Sequence, residues 1–190
     1  MVNPLNMSRN NYQLVALPLK PHLVEFLCSK IKTPYCILES GSIATTLPIS
    51  KRSFFGELIY TGLKPSKSFN KAQSNFYIAI SDHAYRYKKS LPDTRNNIVK
   101  LPPENINLIE KLLREFLEVE LVSYVNGAIF SNYKIKGTKK GIQHKAIEEF
   151  MFQNIITINE STFEMLRKIY DRANKTPKPL KLLQVTEHLR

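Results

Sequence analysis

KAIEEFMFQNIITINESTFEMLRKIYDR, residues 145–172, decides how the second half of this chain folds. Ala146, Ile147, Phe150 and Met151, with Ile142 upstream, recur at helical spacing and predict one amphipathic helix. Phe163, Leu166, Ile169 and Tyr170 predict another. Between them, Ser161-Thr162-Phe163-Glu164 has the pattern of a capping box, in which a hydroxyl and a Glu satisfy each other's backbone N–H groups. Pro177 and Pro179 stop the second helix. The expected spans are about 140–155 and about 162–174. The connector, Ile155 to Glu160, is longer than the three- or four-residue turn of a standard helix-turn-helix, so the pair is helix-turn-helix-like.

Upstream of this pair, Ile109, Leu112, Leu113, Phe116 and Leu117 form a third helical stripe, and Asn107 with Glu110 resembles a capping signal. That predicts a helix over about 105–126. SNYKIKGTKKG, 131–141, reads as a Lys-rich loop. Residues 104–176 are therefore expected to be an all-helical unit of three helices.

The first hundred residues have a different character. Tyr12 to Leu19 reads as a short strand, and Pro21 as the first turn of a helix to about Lys32 carrying Leu23, Phe26, Leu27 and Ile31. Gly41-Ser42 marks a loop. Ser50 is the expected cap of a helix carrying Phe54, Phe55, Leu58, Ile59 and Leu63. Gly62 to Ser74 is basic and turn-rich. FYIAIS, Phe76–Ser81, alternates Phe76, Ile78 and Ile80 on one face with Tyr77 and Ala79 on the other, as a strand does. His83 to Asn97 is a polar connection, and Ile98 to Leu101 a last strand stopped by Pro102-Pro103. No regular βαβ repeat emerges. The expected class is α+β: a flexible stretch 1–11, a mixed strand/helix lobe 12–103, the helical unit 104–176 and a tail 177–190.

Charge narrows the function. Of 190 residues, 28 are Lys or Arg and 16 Asp or Glu, a net charge of +12. A field of that sign attracts polyanions, nucleic acid above all. The 43% apolar content is enough for a core. No apolar run approaches the roughly 18 residues that span a bilayer, and Met1 to Asn11 lacks a signal-peptide pattern, so no membrane association and a cytoplasmic location are expected. Cys28 and Cys36 have no Cys-x-x-Cys partner, and Cys28 reads as a small buried hydrophobe. His22, His83, His144 and His188 are isolated in sequence. His144 and Glu148 read as a surface pair, and Asp82-His83 as a turn after a strand. Six glycines form no phosphate-cradling loop. The expectation is a non-enzymatic protein without metal or cofactor.

Three basic clusters are candidate nucleic-acid contacts. Arg167, Lys168, Arg172 and Lys175 lie largely away from the apolar stripe of the last helix, as on a recognition helix, with Arg167 and Asn174 placed to read bases. Lys134, Lys136, Lys139, Lys140 and Lys145 crowd a hinge loosened by Gly137 and Gly141, and suit phosphate anchoring. Tyr85-Arg86-Tyr87-Lys88-Lys89 interleaves aromatics with cations, which suits single strands; it equally suits an edge strand blunted by charge. The competing reading of the first two clusters is solvated surface. The partner expected is nucleic acid, duplex DNA favoured; the alternative is a structural or protein-interaction component, and self-association is compatible with either.

Residues 145–172 also resemble a recurring ending of small uncharacterised basic proteins carried by phages and other mobile elements of Bacteroidetes. Ala146-Ile147, Phe150, Ile158, Glu160, Leu166, Lys168, Tyr170 and Arg172 occupy the places of that ending, and VALPLKPHLVEFLCSKI, 15–31, is similar to such proteins too. The resemblance implies a mobile-element setting and supplies no established activity. It implies no catalytic residue.

Overall fold

The computed structural model describes residues 12–30, 35–37, 43–48, 52–67, 74, 76–81, 84–86, 88–94, 97–136 and 141–175. The fold is α+β. In chain order the elements are β1 (Tyr12–Ala16), α1 (Pro21–Lys30), β2 (Tyr35–Ile37), β3 (Ile43–Pro48), α2 (Phe54–Gly62), β4 (Lys64–Ser66), β5 (Phe76–Ser81), β6 (Ile98–Lys100), α3 (Pro103–Lys136), α4 (Ile142–Gln153) and α5 (Glu160–Lys175). The chain divides into two compact units, Met1–Leu113 and Arg114–Arg190, so the first turns of α3 belong with the strands.

In the first unit β5 is central. It pairs antiparallel with β1, Val15 opposite Ile78, and parallel with β3, Leu47 opposite Ile78. β2 closes the sheet antiparallel to β3, giving the order β1-β5-β3-β2. β3–α2–β5 is thus a strand–helix–strand crossover, the geometry parallel strands require. Phe76, Ile78 and Ile80 are buried, and Ala79 on the other face is buried too, as befits an inner strand. Leu23, Phe26 and Leu27 of α1 and Ile59 and Tyr60 of α2 complete the core. A second, two-stranded sheet pairs β4 with β6.

Three expectations for this unit need correction. The α2 cap is Ser53, not Ser50: its Oγ accepts the Gly56 N–H at 3.0 Å, and a cap must directly precede the first helical residue. Phe54 then points outward, on the face opposite Ile59. The YRYKK segment is not an edge strand, because Ala84–Arg86 forms a single 3-10 turn. Cys28 is half-buried; desolvation first, and the Glu25 charge second, push its thiol pKa up. Residues 1–11, Ser50, Gly41-Ser42 and Asp82-His83 lie outside the described residues.

The C-terminal carbonyls of α2 would be orphaned without help from outside the helix. Lys88 Nζ donates to Thr61 O and, at 2.9 Å, to Leu63 O. Asn105 Nδ2 donates to Gly62 O at 2.8 Å. Asn105 lies so close to Gly62 that a Cβ there would collide with its amide, hence the glycine. A cation at this end also complements the negative end of the helix dipole. Lys88→Met keeps the aliphatic stem and removes the donors. It is expected to cost about 2 kcal/mol, from unsatisfied carbonyls and a lost charge–dipole contact. Urea unfolding of the two proteins measures this, and equal midpoints contradict it.

α3 begins at Pro103, within two residues of the expected start at about 105 and upstream of the capping signal at Asn107. Pro103 at the first helical position lacks the N–H that would be orphaned there, and Pro102 O accepts from Asn105 N at 3.0 Å and Ile106 N at 3.1 Å. Glu104, in this first turn, is held below the usual carboxylate pKa by a backbone hydrogen bond and then by Lys64 at 3.1 Å. The helix runs on to Lys136, so Ser131–Lys136 is helix and not loop. Its buried residues are Ile109, Leu112, Leu113, Leu117, Leu121 and Val125; Phe116, assigned to the stripe by spacing, faces outward.

The second unit packs the distal part of α3 with α4 and α5. Leu117, Leu121 and Val125, Ala146, Ile147, Phe150 and Met151, and Leu166 and Tyr170 are buried. Tyr124 and Phe150 rings meet at 5.7 Å, and Tyr170 OH donates to Asn126 Oδ1 at 2.8 Å. The α5 cap is Asn159, not Ser161. Asn159 Oδ1 accepts the Thr162 N–H at 2.8 Å, and its carbonyl accepts the Phe163 N–H at 2.9 Å. The end of α4 is a Schellman motif. Ile156 N–H donates to Met151 O at 2.9 Å and Ile155 N–H to Phe152 O at 3.1 Å, with Ile156 and Met151 buried. Ile155 fills the left-handed position, φ 54°, where Gly or Asn is the usual occupant.

Candidate nucleic-acid interface

α5 is amphipathic because Leu166 and Tyr170 are one turn apart on its inner side. Ser161, Glu164, Lys168, Arg172 and Lys175 follow at intervals of three and four residues on the opposite side. With Met165 and Asp171 they line an open groove of about 710 Å³. Lys168, Arg172 and Lys175 are exposed.

The two acids on this face have partners within the unit. Glu164 Oε2 is 2.9 Å from Arg167 Nη2, and Asp171 Oδ1 accepts from Gln143 Nε2 at 3.0 Å. Among the described residues, neither Lys168 nor Lys175 has a carboxylate within ion-pair distance. Arg172 Nε donates to Lys168 O at 3.1 Å, which aligns the side chain along the helix. Its Nη groups carry further donors of the guanidinium fork. Three cations on one exposed face can therefore meet successive phosphates, while Arg167 is partly neutralised by Glu164.

The remaining candidates lie on other elements or outside the described residues. Lys145 is exposed on α4. Lys134 and Lys136 fall in the last turns of α3, and Lys139 and Lys140 lie outside the described residues. Arg86 is exposed on the 3-10 turn; Tyr85 shares that turn, and Tyr87 lies outside the described residues. Lys88 is engaged as the cap of α2, a structural role that its sequence context did not signal. His144 and Glu148 are a surface pair at 3.4 Å, and the His144 ring also meets Phe163 in a tilted contact at 4.4 Å, so this histidine joins α4 to α5. Among the described residues, no helix is long and apolar enough to cross a membrane.

Comparison with family models, with curated proteins and with solved structures gave no match.

Proposed function

We propose that this chain binds nucleic acid, duplex DNA in the first instance, through the outward face of α5. The observation that carries the reading is the set Lys168, Arg172 and Lys175 on one exposed face whose two acids are engaged internally. The mechanism is phosphate capture with counterion release, steered by the net charge of +12. Lys145, Arg86, Lys134, Lys136, Lys139 and Lys140 add to the long-range attraction. The role is binding and not catalysis. The resemblance of 145–172 to mobile-element proteins supports a regulatory or replication-associated setting.

Fluorescence anisotropy with a labelled duplex tests the reading. Three phosphate contacts give a slope of log affinity against log salt of about −2.7, hence a loss of about 40-fold between about 50 mM and about 200 mM salt. A flat salt dependence, or no binding at the lower salt, contradicts it. A single strand of equal length, binding more tightly than the duplex, would move the contact towards the Tyr85–Lys89 segment. The competing reading, a protein-assembly component, is favoured by one observation, the exposed apolar residues at the α4–α5 corner.

A further inference from the structure

Phe152, Ile155 and Ile158, within seven residues at the α4–α5 corner, are 76%, 73% and 60% exposed. Together they present on the order of 400 Å² of apolar surface, the size of the largest patch on a typical monomer. Ile155 is the informative member. It holds the left-handed backbone position of the Schellman motif, where a β-branched residue is strained and glycine is not. Its side chain is largely in solvent, so packing within the chain does not offset that strain.

The surroundings of the patch identify its occupant. Residues 146–163 contain three Glu and no Lys or Arg, in a chain with 28 basic residues; the next acid, Glu164, is paired with Arg167. Glu148 and Glu149 lie one turn before Phe152 on the same side of α4, and Glu160 opens α5 just beyond Ile158. An anionic rim repels nucleic acid and anionic lipid, the ligands that the rest of the surface attracts. It is complementary to a basic surface, and the basic surface at hand is that of this chain. Two corners facing each other would oppose like charges, so a two-fold contact is disfavoured.

We propose that the α4–α5 corner docks onto the basic surface of a second copy of this chain, in a head-to-tail contact. Such a contact does not close on itself unless its rotation happens to form a ring, so copies add one after another. The patch is about half of the ~800 Å² per partner of a standard interface, the size of a weak, transient contact.

Sedimentation velocity on the full chain without nucleic acid tests this independently of the proposed function. The expected weight-average mass starts at the monomer value of 22.0 kDa and rises past that of a dimer as concentration increases. The double variant Phe152→Ser/Ile158→Ser is expected to stay monomeric. Ile155→Gly is expected to weaken association while raising the melting temperature, since it removes strain and no buried contact. That combination separates docking from misfolding. Glu149→Lys/Glu160→Lys is expected to abolish association. A wild-type chain that stays monomeric throughout overturns the proposal, as does association unchanged by these substitutions. So does a mass that stops at the dimer, or tighter association of the Lys variant. Binding to vesicles of equal phosphatidylcholine and phosphatidylglycerol, lost with Phe152→Ser/Ile158→Ser, assigns the corner to a lipid surface and also overturns it.

Discussion

Replacing Lys168, Arg172 and Lys175 together by Glu is expected to lower duplex affinity at least ~100-fold at about 150 mM salt, since three attractive phosphate contacts become repulsive. The same change places negative charge in the last turn of α5, against the helix dipole, at about 0.3–1 kcal/mol per residue. The Gln triple variant is therefore the cleaner partner experiment. It removes the cations, keeps strong helix formers on an exposed face, and is expected to flatten the salt slope by about 2.7 with little loss of stability. Arg167→Gln is expected to have a smaller effect than any one of the three, because Glu164 already offsets that guanidinium at 2.9 Å. A Gln triple variant that stays folded and keeps the wild-type slope removes α5 from the interface. If binding persists there, Lys134, Lys136, Lys139 and Lys140 are the next to test.

Phe150→Ala is expected to cost about 3–5 kcal/mol, enough to unfold the second unit under mild conditions. Phe150 is fully buried, its ring meets Tyr124 at 5.7 Å, and its carbonyl accepts from both Asn154 N and Asn154 Nδ2. A small, local helical unit has little core to replace it. Hydrogen exchange is expected to accelerate across 114–175 and much less in β1 and β5. Uniform acceleration across both units, or a cost under about 1 kcal/mol, counts against the division into units as described.

The parts of the fold legible in the sequence are those with a long or strictly alternating pattern. FYIAIS reads as a strand from alternation and is one, Phe76–Ser81; Pro21 opens α1 as its preset φ allows. α4 and α5 follow from their stripes. β2 and β3 were not legible: Tyr35–Ile37 is too short to show a period, and Ile43–Pro48 is held by pairing with β5, a partner thirty residues on. SNYKIK looks like a loop by composition, which puts the expected end of α3 too early. Nothing in it breaks a helix before Gly137, and tertiary packing upstream carries the helix on. Two caps shifted by two or three residues for a common reason. Ser53 and Asn159 each stand near a second plausible capping residue, Ser50 and Ser161, and the choice depends on where packing fixes the first turn.

The candidate interface was partly legible. Period alone put Lys168, Arg172 and Lys175 outward. Partners across space were not visible: Gln143 engages Asp171, Glu164 engages Arg167, and Lys88 turns inward to the carbonyls of α2. A run of cations in sequence carries no record of which ones a helix end will recruit.

The central place of β5 sets a timetable for the ribosome. β1, the first strand made, waits for β5 across about sixty residues of chain, or roughly 3–12 s at 5–20 residues per second. β3 also lacks its parallel neighbour until then. During that interval nascent sheet edges are open to other strands, and a chaperone that shields the emerging β1 would act in the right window. The helical unit is made last, and its contact from Tyr170 to Asn126 spans 44 residues, a shorter wait between helices that form locally. Slowing elongation between the codons for Ala16 and Phe76 should therefore lower the yield of native protein more than the same pause within α4.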